Sequence, residues 1–149
     1  MTQTPVDIER HKRHILLKEI GGPGVQKLRA ASVSIVGAGA LGGPCALYLR
    51  WSESHPLAGN ILIDATDNFP ARYALNAVAH TTQRPLIHGA AAGWTGQVSV
   101  FASGVQPDAP CYRCWVPETP PDAQACDEVG VVGALTGMVG SAMALETVK

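Results

Sequence analysis

The run Ser32-Val33-Ser34-Ile35-Val36 followed by Gly37-Ala38-Gly39-Ala40-Leu41-Gly42 limits the fold more than any other stretch. An apolar strand enters G-x-G-x-x-G, and a helix starts in the glycines. Glycine admits φ > 0 and lets the backbone come close to a ligand. The N–H groups of the new helix then point at an anion, with the positive end of the helix dipole behind them. A nucleotide phosphate is therefore expected at Gly37, Gly39, Ala40 and Gly42. A tight strand–helix turn with no ligand is the bland reading of the same residues.

At 149 residues the chain is most simply one domain, residues 1–149. Such a chain buries roughly 70% of its unfolded surface and needs no disulfide or metal to fold. A net charge of −1 gives no electrostatic footprint for nucleic acid or a membrane, and neither is expected as a partner. Met1-Thr2-Gln3-Thr4-Pro5 lacks the basic start and apolar core of a signal peptide. The 4 cysteines include one C-x-x-C pair and no disulfide-style framework, which points to a reducing cytoplasm and to metal or thiol chemistry. Val129 to Leu145 is almost free of polar residues, but it is short for a membrane span and diluted by Gly130, Gly133, Gly137 and Gly140. It reads as a buried helix that packs closely through Gly133 and Gly137.

Taken in order, Thr4-Pro5-Val6-Asp7 caps and opens a helix whose apolar side is Ile8, Ile15, Leu16 and Ile20. Gly21-Gly22-Pro23-Gly24 breaks it, and Val25 to Ala30 is a short helix leading to the strand Val33–Val36. The helix after the glycines covers about Leu41 to Arg50, and Ser52 to Gly59 is a loop. Asn60 to Ala65 is a strand whose continuous apolar run suits a parallel sheet covered on both faces. Asn68 caps a helix from Phe69 to Thr82. Pro85–His88 is a third short strand running into Gly89-Ala90-Ala91-Ala92-Gly93, and Thr95 to Phe101 alternates like a strand nearer an edge. Pro107 to Gly130 is a long irregular segment holding Cys111, Cys114 and Cys126, and compact domains rarely keep such a loop without a use. The last helix covers about Gly133 to Val148. Strands alternating with helices make the chain α/β with a mainly parallel sheet.

Several blocks converge on one family. Arg10-His11-Lys12-Arg13-His14-Ile15-Leu16-Leu17, the glycine loop, Asp64-Ala65-Thr66-Asp67-Asn68 with Arg72 and Asn76, Cys111-Tyr112-Arg113-Cys114, and Cys126-Asp127-Glu128-Val129-Gly130-Val131 occur in that order. Together they resemble the MoeB/ThiF/HesA family, relatives of ubiquitin-activating enzymes. The resemblance implies a reduced, Rossmann-like version of the ThiF-type fold: a small, mainly parallel sheet flanked by helices. It also implies an ATP- and Mg²⁺-dependent adenylyltransferase. Its substrate would be a ubiquitin-like sulfur-carrier protein ending in Gly-Gly, in sulfur transfer of the molybdopterin or thiamin type.

The same resemblance assigns roles. Asp67 would hold Mg²⁺ near the phosphates, a task suited to a carboxylate beyond the end of a parallel strand, with Asn68 beside it at the nucleotide. Arg13 would reach the phosphates in the partner subunit's site of a homodimer. Cys126 would be a sulfur-transfer thiol, and Cys111 and Cys114 the first pair of a zinc site. Each has a plainer alternative. Asp67 can cap the next helix with Asn68, Arg13 can be a solvated charge, and Cys126 an ordinary loop thiol. Cys45 reads as core, and His55, His80 and His88 as surface or internally satisfied histidines.

The departures from the family are equally informative. Two strand–helix units that normally precede the T-D-N block are missing, together with the acidic residues that read the ribose and an Arg and a Lys that grip the phosphates. No Lys lies between Lys27 and Lys149, and no Arg between Arg50 and Arg72. Losing one such donor typically costs ~10²–10³ in rate. Zinc wants four ligands, so Cys111 and Cys114 need Cys126 plus a histidine, or a second pair across a dimer axis. The missing units would also leave Val33–Val36 an uncovered edge strand, which invites dimerisation. Finally, Asp64 now lies about twenty residues beyond Gly42, the place of the ribose-binding acid in NAD-type domains. Three readings stand: the adenylyltransferase, a catalytically impaired remnant that binds carrier or nucleotide, and an NAD-type dinucleotide-binding domain.

Overall fold

The computed structural model describes residues 8–50, 53–54, 59–121 and 129–149. Its sheet is built from β1 (Ser32–Val36), β2 (Glu53–Ser54), β3 (Ile61–Asp64), β4 (Leu86–Ala92) and β5 (Thr95–Phe101), in the order β2-β1-β3-β4-β5. The first four strands run parallel, and β5 returns antiparallel to β4. The helices are α1 (Ile8–Ile15), α2 (Gly21–Ala30), α3 (Gly42–Leu49), α4 (Phe69–Thr81), the single turn α5 (Tyr112–Trp115) and α6 (Gly133–Val148). This is the reduced Rossmann-like α/β fold expected.

The apolar runs of β1, β3 and β4 are covered on both faces. On one face Val33, Ile63 and Ile87 pack with Cys45 and Leu49 of α3 and with Val139, Met143 and Ala144 of α6. On the other, Leu62, Leu86 and Phe101 pack with Leu75 and Ala79 of α4 and with Tyr112 of α5. Burial pushes the Cys45 thiol up to about 11, so this cysteine is core, as its helix position suggested. Val36 pairs with Asp64 and Asp64 with His88, so the segments leaving β1 and β3 emerge level at one end of the sheet. That registration places the site.

Several expectations are corrected. The helix break at Gly21-Gly22-Pro23-Gly24 is a helix start: α1 ends at Ile15 and α2 begins at Gly21. Pro23 falls in a first turn, where a missing N–H loses nothing. The loop between Ser52 and Gly59 contains β2, which pairs with Ser32 and Val33, so β1 is covered at its start rather than left bare. β4 continues through Gly89 to Ala92, because pairing with β5 overrides the weak strand preference of Gly and Ala. Close packing of α6 uses Gly140, not Gly133 or Gly137. A Cβ at Gly140 would overlap the Leu41 carbonyl oxygen and lie 3.1 Å from Pro44 Cβ, whereas the other two face open space. The segment Pro107–Gly130 is interrupted by α5. Among the described residues, no helix is long and apolar enough to cross a membrane. The N-terminal cap at Thr4-Pro5 and His55 lie outside the described residues.

Candidate nucleotide-binding site

A cleft of about 380 Å³ opens beyond the carboxyl ends of β1, β3 and β4. Gly37 to Leu41 form one wall, Ala65 to Asn68 and Arg72 another, with Ala90 and Ala91 behind, Val131 just before α6 and Thr136 in its first turn. This is where open parallel sheets bind ligands.

The three glycines of the loop do different work. Gly37 has φ +97, and a Cβ there would lie 2.7 Å from the Ala65 carbonyl carbon, so the loop crosses the end of β3 only as glycine. A Cβ at Gly42 would lie 3.0 Å from the Gly37 carbonyl carbon and overlap its oxygen, so the third glycine seats α3 on the turn. At Gly39 nothing lies within 4 Å of a Cβ. The backbone there is bare toward the cleft, as close approach to a phosphate requires. The N-cap of α3, Leu41, supplies no side-chain cap, so the first N–H groups of the helix have no side-chain acceptor there.

Asp67 and Asn68 separate in role. The Asn68 side chain accepts from the Ala71 N–H at 2.9 Å and caps α4. Asp67 is thereby spared that task. Its exposed carboxylate accepts only from the Asn68 amide, at 3.2 Å, among the described hydrogen bonds. An oxygen ligand for Mg²⁺ at the cleft wall fits this arrangement.

Asp64 is different, and its surroundings do not favour the rival ribose reading. Its side chain is fully buried. One carboxylate oxygen accepts from the Thr66 N–H at 2.9 Å and from the Thr66 hydroxyl at 2.6 Å, and the other lies 2.9 Å from His88 Nδ1. Fully buried and engaged at both oxygens, this carboxylate is out of reach of a ribose in the cleft, and the spacing that favoured an NAD-type domain loses its support. His88, also fully buried, is one of the internally engaged histidines expected; His80 pairs with Ser103 at 3.1 Å on the surface.

Arg72 is the residue that sequence reading underrated. It is the one Lys or Arg lining the cleft among the described residues. It is 7% exposed, donates to the Thr66 carbonyl at 3.3 Å, and sits over the Phe69 ring at 5.0 Å. Its position, one helical turn after the cap Asn68, was a usable signal for the same face. Ala90, Ala91 and Thr136 carried no motif that marked them.

The remaining candidates lie apart from the cleft. Arg13 is exposed on α1, and its neighbour His14 borders a groove against the C-terminal half of α6. The sulfurs of Cys111, the N-cap of α5, and Cys114 within it approach to 3.5 Å. Burial acts to raise the Cys111 thiol. Hydrogen bonds from the Cys114 backbone, the Asn76 side chain and the Cys114 thiol outweigh it and hold the group below the usual thiol range. Among the described residues no cluster of three or more His, Cys, Asp or Glu side chains forms, so these thiols alone do not fit a four-ligand zinc. Cys126 lies outside the described residues.

The sequence pattern of the ThiF family matches residues 58–149. The adenylyltransferase and sulfurtransferase MOCS3 of Oryza sativa subsp. japonica is 32% identical over 95% of the chain, and that of Anopheles gambiae 32% over 96%. A sulfur carrier protein adenylyltransferase of Thermus thermophilus is 29% identical over the whole chain. The chain spans 40% and 46% of the two MOCS3 proteins and 79% of the Thermus protein. The Thermus alignment runs over 215 positions against 149 residues here, so the relative holds residues inside the aligned span with no counterpart in this chain. The family match covers β3, the Asp67 turn, α4 and α6, all of them around the cleft. The chain belongs to the ThiF family.

Proposed function

We propose that the cleft binds ATP with Mg²⁺ and that the chain derives from, and in its full context acts as, an adenylyltransferase for a ubiquitin-like sulfur-carrier protein ending in Gly-Gly. The observation that carries the reading is the pairing of a bare Gly39 backbone with the uncommitted Asp67 carboxylate across one cleft. The loop would hold the phosphates. Asp67 would hold Mg²⁺, which neutralises phosphate charge when bound. An unbranched Gly-Gly tail would lie against the small side chains of Ala90 and Ala91, which line the cleft, and Arg13 would serve a partner subunit's cleft in a homodimer. Cys126 would be the sulfur-transfer thiol. Zinc at Cys111 and Cys114 would need two more ligands, and metal analysis of protein purified without chelator decides it.

A second reading has its own observation. Arg72 alone among the described Lys and Arg residues lines the cleft, so the cationic clamp on the reacting phosphate is thin. Nucleotide binding without adenylation follows if nothing else supplies it. ATP–pyrophosphate exchange with a Gly-Gly-ended carrier separates the two. Carrier-dependent exchange supports the adenylyltransferase. ATP binding without exchange supports the remnant, and no ATP binding refutes both.

A further inference from the structure

We propose that Arg72 and the buried Asp64–His88 pair are positioning residues that hold Asp67 in place for Mg²⁺. The inference rests on the cleft being an ATP–Mg²⁺ site. Thr66, the residue before Asp67, has all three of its polar groups engaged. Its N–H and its hydroxyl both donate to Asp64, at 2.9 and 2.6 Å, and its carbonyl accepts from Arg72 at 3.3 Å. On the other side of Asp67, Asn68 is fixed by the Ala71 N–H at 2.9 Å. Asp67 is thus an exposed carboxylate on a backbone clamped at both neighbours.

The clamp is itself backed. His88 Nδ1 lies 2.9 Å from the second Asp64 oxygen, and its ring lies 4.9 Å from the Tyr112 ring. Tyr112 is anchored in turn through its N–H on Asn76 at 2.7 Å. Arg72 lies over the Phe69 ring, 5.0 Å from its centroid.

Packing alone does not account for this arrangement. Arg72 Nε and His88 Nε2 are buried without a hydrogen-bond partner. Leaving such buried polar atoms unpaired costs free energy that an apolar side chain of similar length would not incur. What Leu or Met could not supply is the donor to the Thr66 carbonyl and the grip on the turn that carries Asp67. Partners one step removed from a metal ligand typically change metal affinity by 10–100-fold.

The test is calorimetric ATP binding as a function of Mg²⁺ for wild type, Arg72→Met, Asp67→Asn and the double variant. Met keeps the packing over Phe69 and removes the donors. Arg72→Met should raise the Mg²⁺ needed for half-maximal effect by about tenfold or more, over and above any loss of ATP affinity in chelator that follows from removing a cleft-lining cation. It should add nothing in the Asp67→Asn background. Equal loss with and without Mg²⁺, or full additivity, overturns the proposal. Thr66→Val deletes only the hydroxyl bond to Asp64 and should shift the Mg²⁺ requirement in the same direction; no shift also overturns it. If wild type binds no ATP–Mg²⁺, the functional reading fails. Amide hydrogen exchange on the free protein then judges the clamp. Residues 66–68 should exchange faster in Arg72→Met while the rest of α4 does not change, and unchanged rates at 66–68 refute it.

Discussion

Alanine at Gly39 and alanine at Gly42 should have opposite consequences, although the two positions are three residues apart in one motif. At Gly42 the added Cβ lies 3.0 Å from the Gly37 carbonyl carbon and overlaps its oxygen, which is backbone and cannot rotate away. Overpacking of this kind costs about 1–3 kcal/mol. Replacing glycine in a helix returns at most about 1 kcal/mol, and less in the first turn. Because the overlap is with backbone, the cost falls toward the upper end of that range and the net loss is about 2 kcal/mol, a fall in Tm of roughly 4–8 °C for a chain of this size. At Gly39 the Cβ meets nothing within 4 Å, so the fold should hold to within about 0.5 kcal/mol. That methyl instead occupies space the phosphate needs, and ATP affinity should fall by about tenfold or more, equivalent to about 1.4 kcal/mol. Differential scanning fluorimetry and calorimetric titration with ATP–Mg²⁺ give both quantities. A Gly39→Ala variant that binds ATP like wild type would refute the loop as the phosphate seat. A Gly42→Ala variant with unchanged Tm would refute the packing argument.

On α6, Gly140→Ala should lower Tm, because its Cβ overlaps the Leu41 carbonyl oxygen; Gly137→Ala, facing open space, should raise stability by up to about 1 kcal/mol by thermal melting. Asn68→Ala should cost about 1 kcal/mol through loss of the α4 cap, again read by melting. In a pH series of thiol alkylation read by mass spectrometry, Cys111 should react at lower pH than Cys45. The thiolate is the reactive form: burial pushes the Cys45 thiol to about 11, so it stays protonated well above neutral pH, whereas Cys111 ionises below the usual thiol range. Equal rates at neutral pH would contradict both placements.

The elements legible in the sequence were those whose cause is local. The strand into Gly37–Gly42, the Asn68 cap and the span of α6 depend on residues adjacent in the chain, and each was readable from spacing. What was not legible depends on partners distant in sequence. Asp64 sits at the ribose distance from the glycine loop, yet His88, on the neighbouring strand, and Thr66 turn it inward. Gly133, Gly137 and Gly140 are alike in composition, and only the approach of α3 decides which one is a contact. Ala90 and Ala91 look like a weak loop until β5 pairs with them. Arg72 reads as a motif letter until Thr66 and Phe69 give it a place in the cleft wall.

The central claim is that this cleft, with its thin cationic lining, is a site for ATP and Mg²⁺. Titrating one preparation with ATP–Mg²⁺, with ATP in chelator and with NADH tests it directly. Saturable binding of ATP–Mg²⁺, weaker binding of ATP in chelator and no binding of NADH are expected. Saturable binding of NADH with none of ATP would contradict it.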